Sequence, residues 1–137
     1  YAKDRLPLAR LRAGTPVLRD ADDVYSNHIH AEDLAACCLR ALEADAPAGI
    51  YNASDDSHLK MGEWFDLLAD RARLPRPARI ARSEASARIP TELLSFMSDS
   101  RRLDNARLKR TLGVRLRYPT VQDGLKHEHL AGIDEPA

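Results

Sequence analysis

The stretch Tyr25-Ser26-Asn27-His28-Ile29-His30-Ala31-Glu32-Asp33-Leu34 changes its hydrophobic period partway along, and that change sets the reading of the fold. From Val24 to His30 the pattern alternates as a strand does, with Tyr25, Asn27 and Ile29 on one face and Ser26, His28 and His30 on the other. From Leu34 onward the apolar residues Leu34, Cys37, Cys38, Ala41 and Leu42 fall on one helical stripe. Glu32 and Asp33 sit where a helix N-terminus favours acid. A strand that turns directly into a helix, with two histidines on one side of the joint, is therefore expected.

Working outward, Leu6, Leu8 and Leu11 predict a short helix ended by Gly14 and Pro16, followed by an extended piece at Pro16–Leu18. Gly49-Ile50-Tyr51-Asn52-Ala53-Ser54 predicts a second strand, closed by the turn at Asp55-Asp56-Ser57. Leu59–Leu74 predicts an amphipathic helix whose Trp64 and Phe65 belong to the core. Arg79-Ile80-Ala81 is expected to be extended. Ser83 is the expected cap of a helix to about Ile89, and Pro90 opens the next, carrying Leu93, Leu94, Phe96 and Met97. Asp104 caps a helix over 105–112 that stops at Gly113, and Thr120 with Asp123 opens the last. Many short helices with two or three short strands cannot close a doubly wound sheet alone.

Composition narrows the class. At 137 residues the chain is about one domain long, with 44% hydrophobic, 31% charged and only 5% aromatic residues. Twenty-one basic residues balance 21 acidic ones, so no net field draws the chain to nucleic acid or an anionic membrane. No apolar run of about 20 residues provides a membrane span. Cys37 and Cys38 are adjacent on a helix and point about 100° apart, so free thiols and a cytoplasmic location are expected.

Four pieces in order resemble the extended short-chain dehydrogenases/reductases, the family of NAD-dependent epimerases and dehydratases. Tyr1-Ala2-Lys3-Asp4-Arg5 resembles that family's Tyr-Gly-Pro-Gly loop, with both small turn residues replaced. Tyr25–Leu34 is similar to its aromatic-or-Ser, Ile-His-Val-x-Asp-Leu junction. Gly49–Ser54 is similar to its Tyr-Asn-Ile-Gly strand. Leu103–Gly113 with Tyr118-Pro119-Thr120 and Asp123-Gly124-Leu125 resembles its closing helices. The bacterial proteins described generically as NAD-dependent epimerase/dehydratase or SDR-family oxidoreductase are the nearest in pattern.

The resemblance implies an α/β fold: the mainly helical C-terminal lobe of an NAD(P)-binding Rossmann-type enzyme, spanning about 1–131, with 49–54 as a late strand of the nucleotide-binding sheet and 132–137 as a flexible tail. It implies a substrate-binding role toward a sugar-like or small hydroxyl/carbonyl compound, NAD or NADP in the complete enzyme, and the N-terminal half of the same enzyme as partner. It assigns Tyr1 to the cofactor. The family's Gly-rich turn and its Tyr-x-x-x-Lys pair are not in this chain, because no Tyr has Lys four residues on. The chain alone is therefore expected to hold no cofactor, to carry no catalytic residue and to be inactive. A non-catalytic helical ligand-binding or interaction module that self-associates, for instance as a homodimer, is the rival reading.

Candidate site residues carry more than one reading. His28 and His30 can brace the turn, face a substrate, or form half of a metal site with His127 and His129. Asn27, on the opposite face, can hold a loop or meet a ligand. Arg101 and Arg102 can clamp a phosphate or carboxylate or remain solvated, and Arg5 and Arg19 share that ambiguity. Phe96, within Leu93–Ser98, can line an apolar pocket or pack in the core.

Overall fold

The computed structural model describes residues 1–43 and 45–128. The expected tail at 132–137 and His129 lie outside the described residues, as do 130 and 131. A 3-10 turn at Lys3–Arg5 leads to α1 (Leu8–Arg12), β1 (Val17–Leu18), β2 (Tyr25–Ser26) and α2 (Ala31–Ala41). Then come β3 (Leu59–Lys60), α3 (Met61–Arg71), β4 (Arg79–Ile80), α4 (Arg82–Arg88), α5 (Thr91–Phe96), α6 (Ala106–Thr111) and α7 (Val121–His127).

The central element is α3, which packs against α1, α7, β1 and β3. Its apolar positions recur at helical spacing, so Trp64, Phe65 and Leu68 face one core with Leu11, Val17 and Val121. A second cluster gathers Leu18, Ile80, Ala85, Ile89 and Met97, and a third gathers Cys37, Leu108, Leu112 and Val114. Met61, at the start of α3, touches the first two. Two ladders tie the long connections: β1 runs parallel to β4, with Val17 opposite Arg79, and β2 runs antiparallel to β3, with Ser26 opposite Leu59.

Local chemistry explains the helix ends. Thr120 Oγ1 accepts from the Asp123 amide at 3.2 Å and donates to the Asp123 carboxylate at 2.6 Å, opening α7 as its sequence predicts. Asp104 Oδ1 accepts from the Ala106 amide at 2.7 Å, and Gly113, at φ +66°, closes α6. At α4 the expected cap is corrected: Ser83 lies inside the helix, and Glu84 instead accepts from the Ala81 amide at 3.1 Å.

Two expectations about strands and faces change. The strand over 24–30 shrinks to the two residues of β2: in the antiparallel register α3 takes over at Met61, opposite Val24, and on the other side 27–30 continue without a ladder. Residues 49–54 form no ladder among the described residues, and Ile50 is 84% exposed. Side chains fix that segment instead, with Asn52 Nδ2 donating to the Asp104 carbonyl at 3.0 Å. The expected apolar stripe of α2 is not covered: Cys37 is buried, whereas Leu34, Cys38 and Leu42 are exposed, as is Leu39. What α2 buries besides Cys37 is the acid Asp33.

Candidate functional site

The β2/β3 ladder, the first turn of α3 and the end of α5 surround a two-part cleft. Its outer part, about 460 Å³, is lined by Tyr25, Ser26, Asn27, Met61, Ser95, Phe96, Asp99 and Arg101. Its inner part, about 260 Å³, shares Ser26, Met61 and Phe96 and adds Arg10, His28, Trp64, Phe65 and Leu93. Four expected site residues therefore meet here: Asn27, His28, Phe96 and Arg101. Phe96 is 72% exposed, so it forms a wall of the cleft and not part of the core.

Asn27 holds a loop. Its Nδ2 donates to the Arg101 carbonyl at 3.0 Å and its Oδ1 accepts from the Leu103 amide at 2.8 Å, pinning the segment that brings Arg101 to the cleft. Arg101 pairs with Asp99 at 2.5 Å, which neutralises its charge at the rim. His28 Nε2 lies 2.8 Å from Ser26 Oγ, and its ring packs on Trp64 at 4.8 Å between centroids. Burial, aided by the positive amino group of Tyr1, pushes the His28 pKa down to about 4, so the ring is neutral at neutral pH.

His30 and Arg102 do not share the cleft. His30 is 2% exposed, its Nδ1 accepts from the Glu32 amide at 3.2 Å, and its Nε2 lies 2.7 Å from Glu128 Oε1. Because Nδ1 is an acceptor, the ring proton sits on Nε2 and is donated to Glu128. His30 thus braces the turn into α2 and caps that helix, and its buried ring does not line the cleft. Arg102 lies over the Tyr25 ring at 4.9 Å and borders a separate depression with Asp55, Asp56 and His58. There Asp55 is buried; its Oδ1 accepts from the Ser57 amide at 2.9 Å, Oδ2 makes no hydrogen bond, and desolvation pushes its pKa up to about 6.

Tyr1 turns its ring inward. It meets His30 edge-on at 5.4 Å and Trp64 at the same distance, and its hydroxyl lies beside Gly124, where an added Cβ would fall 2.1 Å away. Among the described residues no three His, Cys, Asp or Glu side chains cluster as metal ligands. His127 stacks on Tyr118 at 5.1 Å, away from the cleft. Among the described glycines, Gly14 and Gly113 end helices, while Gly62 and Gly124 make room for Asp23 with Arg79 and for Tyr1.

Sequence reasoning did not find Arg10, Ser26, Met61 or Asp99 as cleft residues. Ser26 was within reach, since it alternates with His28 on one strand face. Arg10 was not, because it comes from α1 and only tertiary packing carries it to the cleft.

No protein-family model matches the chain. A curated Streptomyces protein, "3-diazoavenalumate denitrifying reductase", is 23% identical over 128 residues, covering 93% of this chain and 42% of its own length. Human epimerase family protein SDR39U1, solved with NADPH, superposes with a TM-score of 0.69 at 18% identity, over 88% of this chain and 40% of that one. MoeE5, solved with UDP-glucuronic acid and NAD, superposes with a TM-score of 0.60 at 20% identity, over 93% of this chain and 42% of that one. The chain thus spans about two fifths of the relatives it matches. Its fold is that of a part of these Rossmann-type epimerase proteins, the fold class that the Tyr25–Leu34 junction implied.

Proposed function

We propose that this chain is the substrate-binding portion of an NAD(P)-dependent epimerase/dehydratase-like oxidoreductase acting on a sugar-like or other small hydroxyl/carbonyl compound, and that it is inactive by itself. The observation that carries the reading is the cleft between β2 and α5. It combines apolar walls with a few fixed polar groups, the usual make-up of a small-molecule site.

Within it the chain's residues bind and orient. Ser26 Oγ and the neutral His28 ring form a hydrogen-bonding pair without net charge. Asn27 holds the Arg101 segment, and Phe96 closes one side. Hydride chemistry belongs to a nicotinamide cofactor, and no step of it is assigned to these residues. The cofactor and the catalytic Tyr and Lys would come from the nucleotide-binding half. The exposed Leu34, Leu39 and Leu42 on α2 supply an apolar face on which that half would dock. Tyr1 would contribute to the cofactor side through its backbone, since its ring is taken up by the core.

Amide chemical-shift mapping of the chain tests this reading, using a panel of sugars and small hydroxyl/carbonyl compounds together with NADPH. Perturbations centred on Ser26, Asn27 and Phe96, with none caused by NADPH, are expected. Ligand shifts confined to another face, or NADPH oxidation by the chain alone, would overturn it. The same uncovered α2 face favours the rival reading of a self-associating module. Sedimentation velocity separates the two: a dimer abolished by Leu42→Glu would support the rival.

A further inference from the structure

The inner part of the cleft has a chemistry of its own. Three aromatic rings, Trp64, Phe65 and Phe96, line it with Met61 and Leu93, and it is about 260 Å³ in volume. Flat apolar walls of this kind suit a flat apolar ligand, because ring stacking adds to the burial of area.

One cation reaches this space. The Arg10 guanidinium lies over the Phe65 ring at 4.3 Å. Its Nε is buried without a hydrogen-bond partner, and its Nη2 makes only a long contact, 3.4 Å, with the Pro16 carbonyl. No carboxylate among the described residues pairs with it. The other arginines nearby have partners: Arg101 pairs with Asp99, and Arg102 lies over the Tyr25 ring. His28, opposite, is neutral and adds no charge. A half-buried guanidinium whose buried Nε has no hydrogen-bond partner is satisfied best by a carboxylate, through charge-assisted hydrogen bonds.

We propose that this inner pocket takes a small aromatic carboxylic acid, its ring against Trp64, Phe65 and Phe96 and its carboxylate on Arg10. The inference rests on the reading of the cleft as the substrate site and narrows its substrate class. A nucleoside diphosphate sugar fits less well. Its two phosphates would meet an outer cleft whose one arginine is already neutralised by Asp99, and its bulk exceeds the inner space.

Trp64 is the chain's only tryptophan and lines the pocket, so its fluorescence reports occupancy directly. Titration with 3-phenylpropionate should quench it saturably, and the neutral analogue 3-phenylpropionamide should bind at least about tenfold more weakly. Arg10→Met should erase that preference, leaving acid and amide alike. Phe96→Ala changes a largely exposed residue and so leaves the fold intact; it should weaken both ligands. Equal binding of acid and amide to the unaltered chain would overturn the proposal. So would the absence of saturable quenching by the acid up to about 10 mM. Saturable quenching by UDP-glucuronate but not by the acid would overturn it while leaving the substrate-site reading in place, and acid binding without any NADPH-linked chemistry in the complete enzyme would do the reverse.

Discussion

The carboxylate of Asp33 accepts hydrogen bonds from the backbone amides of both Arg117 and Tyr118, at 2.7 and 2.9 Å, although 84 residues of chain separate Asp33 from the first of them. Asp33 is 2% exposed, so this pair of bonds fastens the first turn of α2 to the segment leading into α7. Asp33→Ala would leave two amides without an acceptor and should cost about 3 kcal/mol. Asp33→Asn keeps one acceptor oxygen and should cost roughly half of that. Urea denaturation midpoints check the order; an alanine variant within about 1 kcal/mol of the parent would show that the amides find other partners.

Asn27 is exposed, so its loss should barely move global stability while it frees the loop that it holds. In Asn27→Ala the Leu103 amide loses its acceptor and the Arg101 carbonyl loses its donor. Hydrogen exchange at Leu103 should accelerate about tenfold or more, with unfolding free energy changed by less than about 1 kcal/mol. Unchanged exchange at Leu103 would mean that the loop is held by something else, and Asn27 would return to being a free candidate for ligand contact.

How much of this was legible in the sequence depends on the range of the interaction. The caps at Asp104 and Thr120 act within three residues, and both were readable. The helical period of α3 placed Trp64 and Phe65 in the core. Ser83 misled because the helix starts one residue before it, at Arg82, with Glu84 in its first turn accepting from the Ala81 amide. The α2 stripe of Leu34, Cys38 and Leu42 misled for a different reason: an apolar stripe states that a face needs covering but not that this chain covers it. Asn27, His28, Phe96 and Arg101 were legible as site candidates, whereas Arg10 carries no local signal. His30 was readable as either brace or ligand contact, and the approach of Glu128, 98 residues on, which shows it as a brace, has no local signal.

Gly124 is close to the Tyr1 ring for want of a side chain. A Cβ there would sit 2.1 Å from the Tyr1 hydroxyl oxygen and 2.8 Å from Cζ. Alanine within α7 should by propensity gain about 1 kcal/mol, but the ring would have to leave its contacts with His30 and Trp64. Gly124→Ala should therefore destabilise by about 1–3 kcal/mol. In a Tyr1→Ala background the same substitution should become neutral or stabilising. Thermal melts of the four proteins in this cycle check the inversion of sign; additivity would show that the two residues do not meet.

His28 and Asp55 are joined through the backbone, the Asp55 amide donating to the His28 carbonyl at 2.6 Å, and they titrate in opposite senses. Burial, with the Tyr1 amino group as a lesser cause, lowers the His28 pKa from 6.5 to about 4; burial likewise raises that of Asp55 from 3.8 to about 6. Between these values the unfolded chain holds more protons on His28 than the folded one, so this group's contribution is lost as pH falls through 6.5 toward 4. For Asp55 the folded chain holds more protons, so its contribution is complete below 3.8 and is lost as pH rises toward 6. Over pH 4–6 the two slopes oppose, each limited to about 1.4 kcal/mol per pH unit. Relative to the parent, His28→Asn should lose stability as pH rises across that window, and Asp55→Asn should gain it. Urea midpoints at several pH values, taken as differences from the parent, remove the contribution of the surface carboxylates. Parallel profiles for all three proteins would mean that neither group is held in its neutral form by burial.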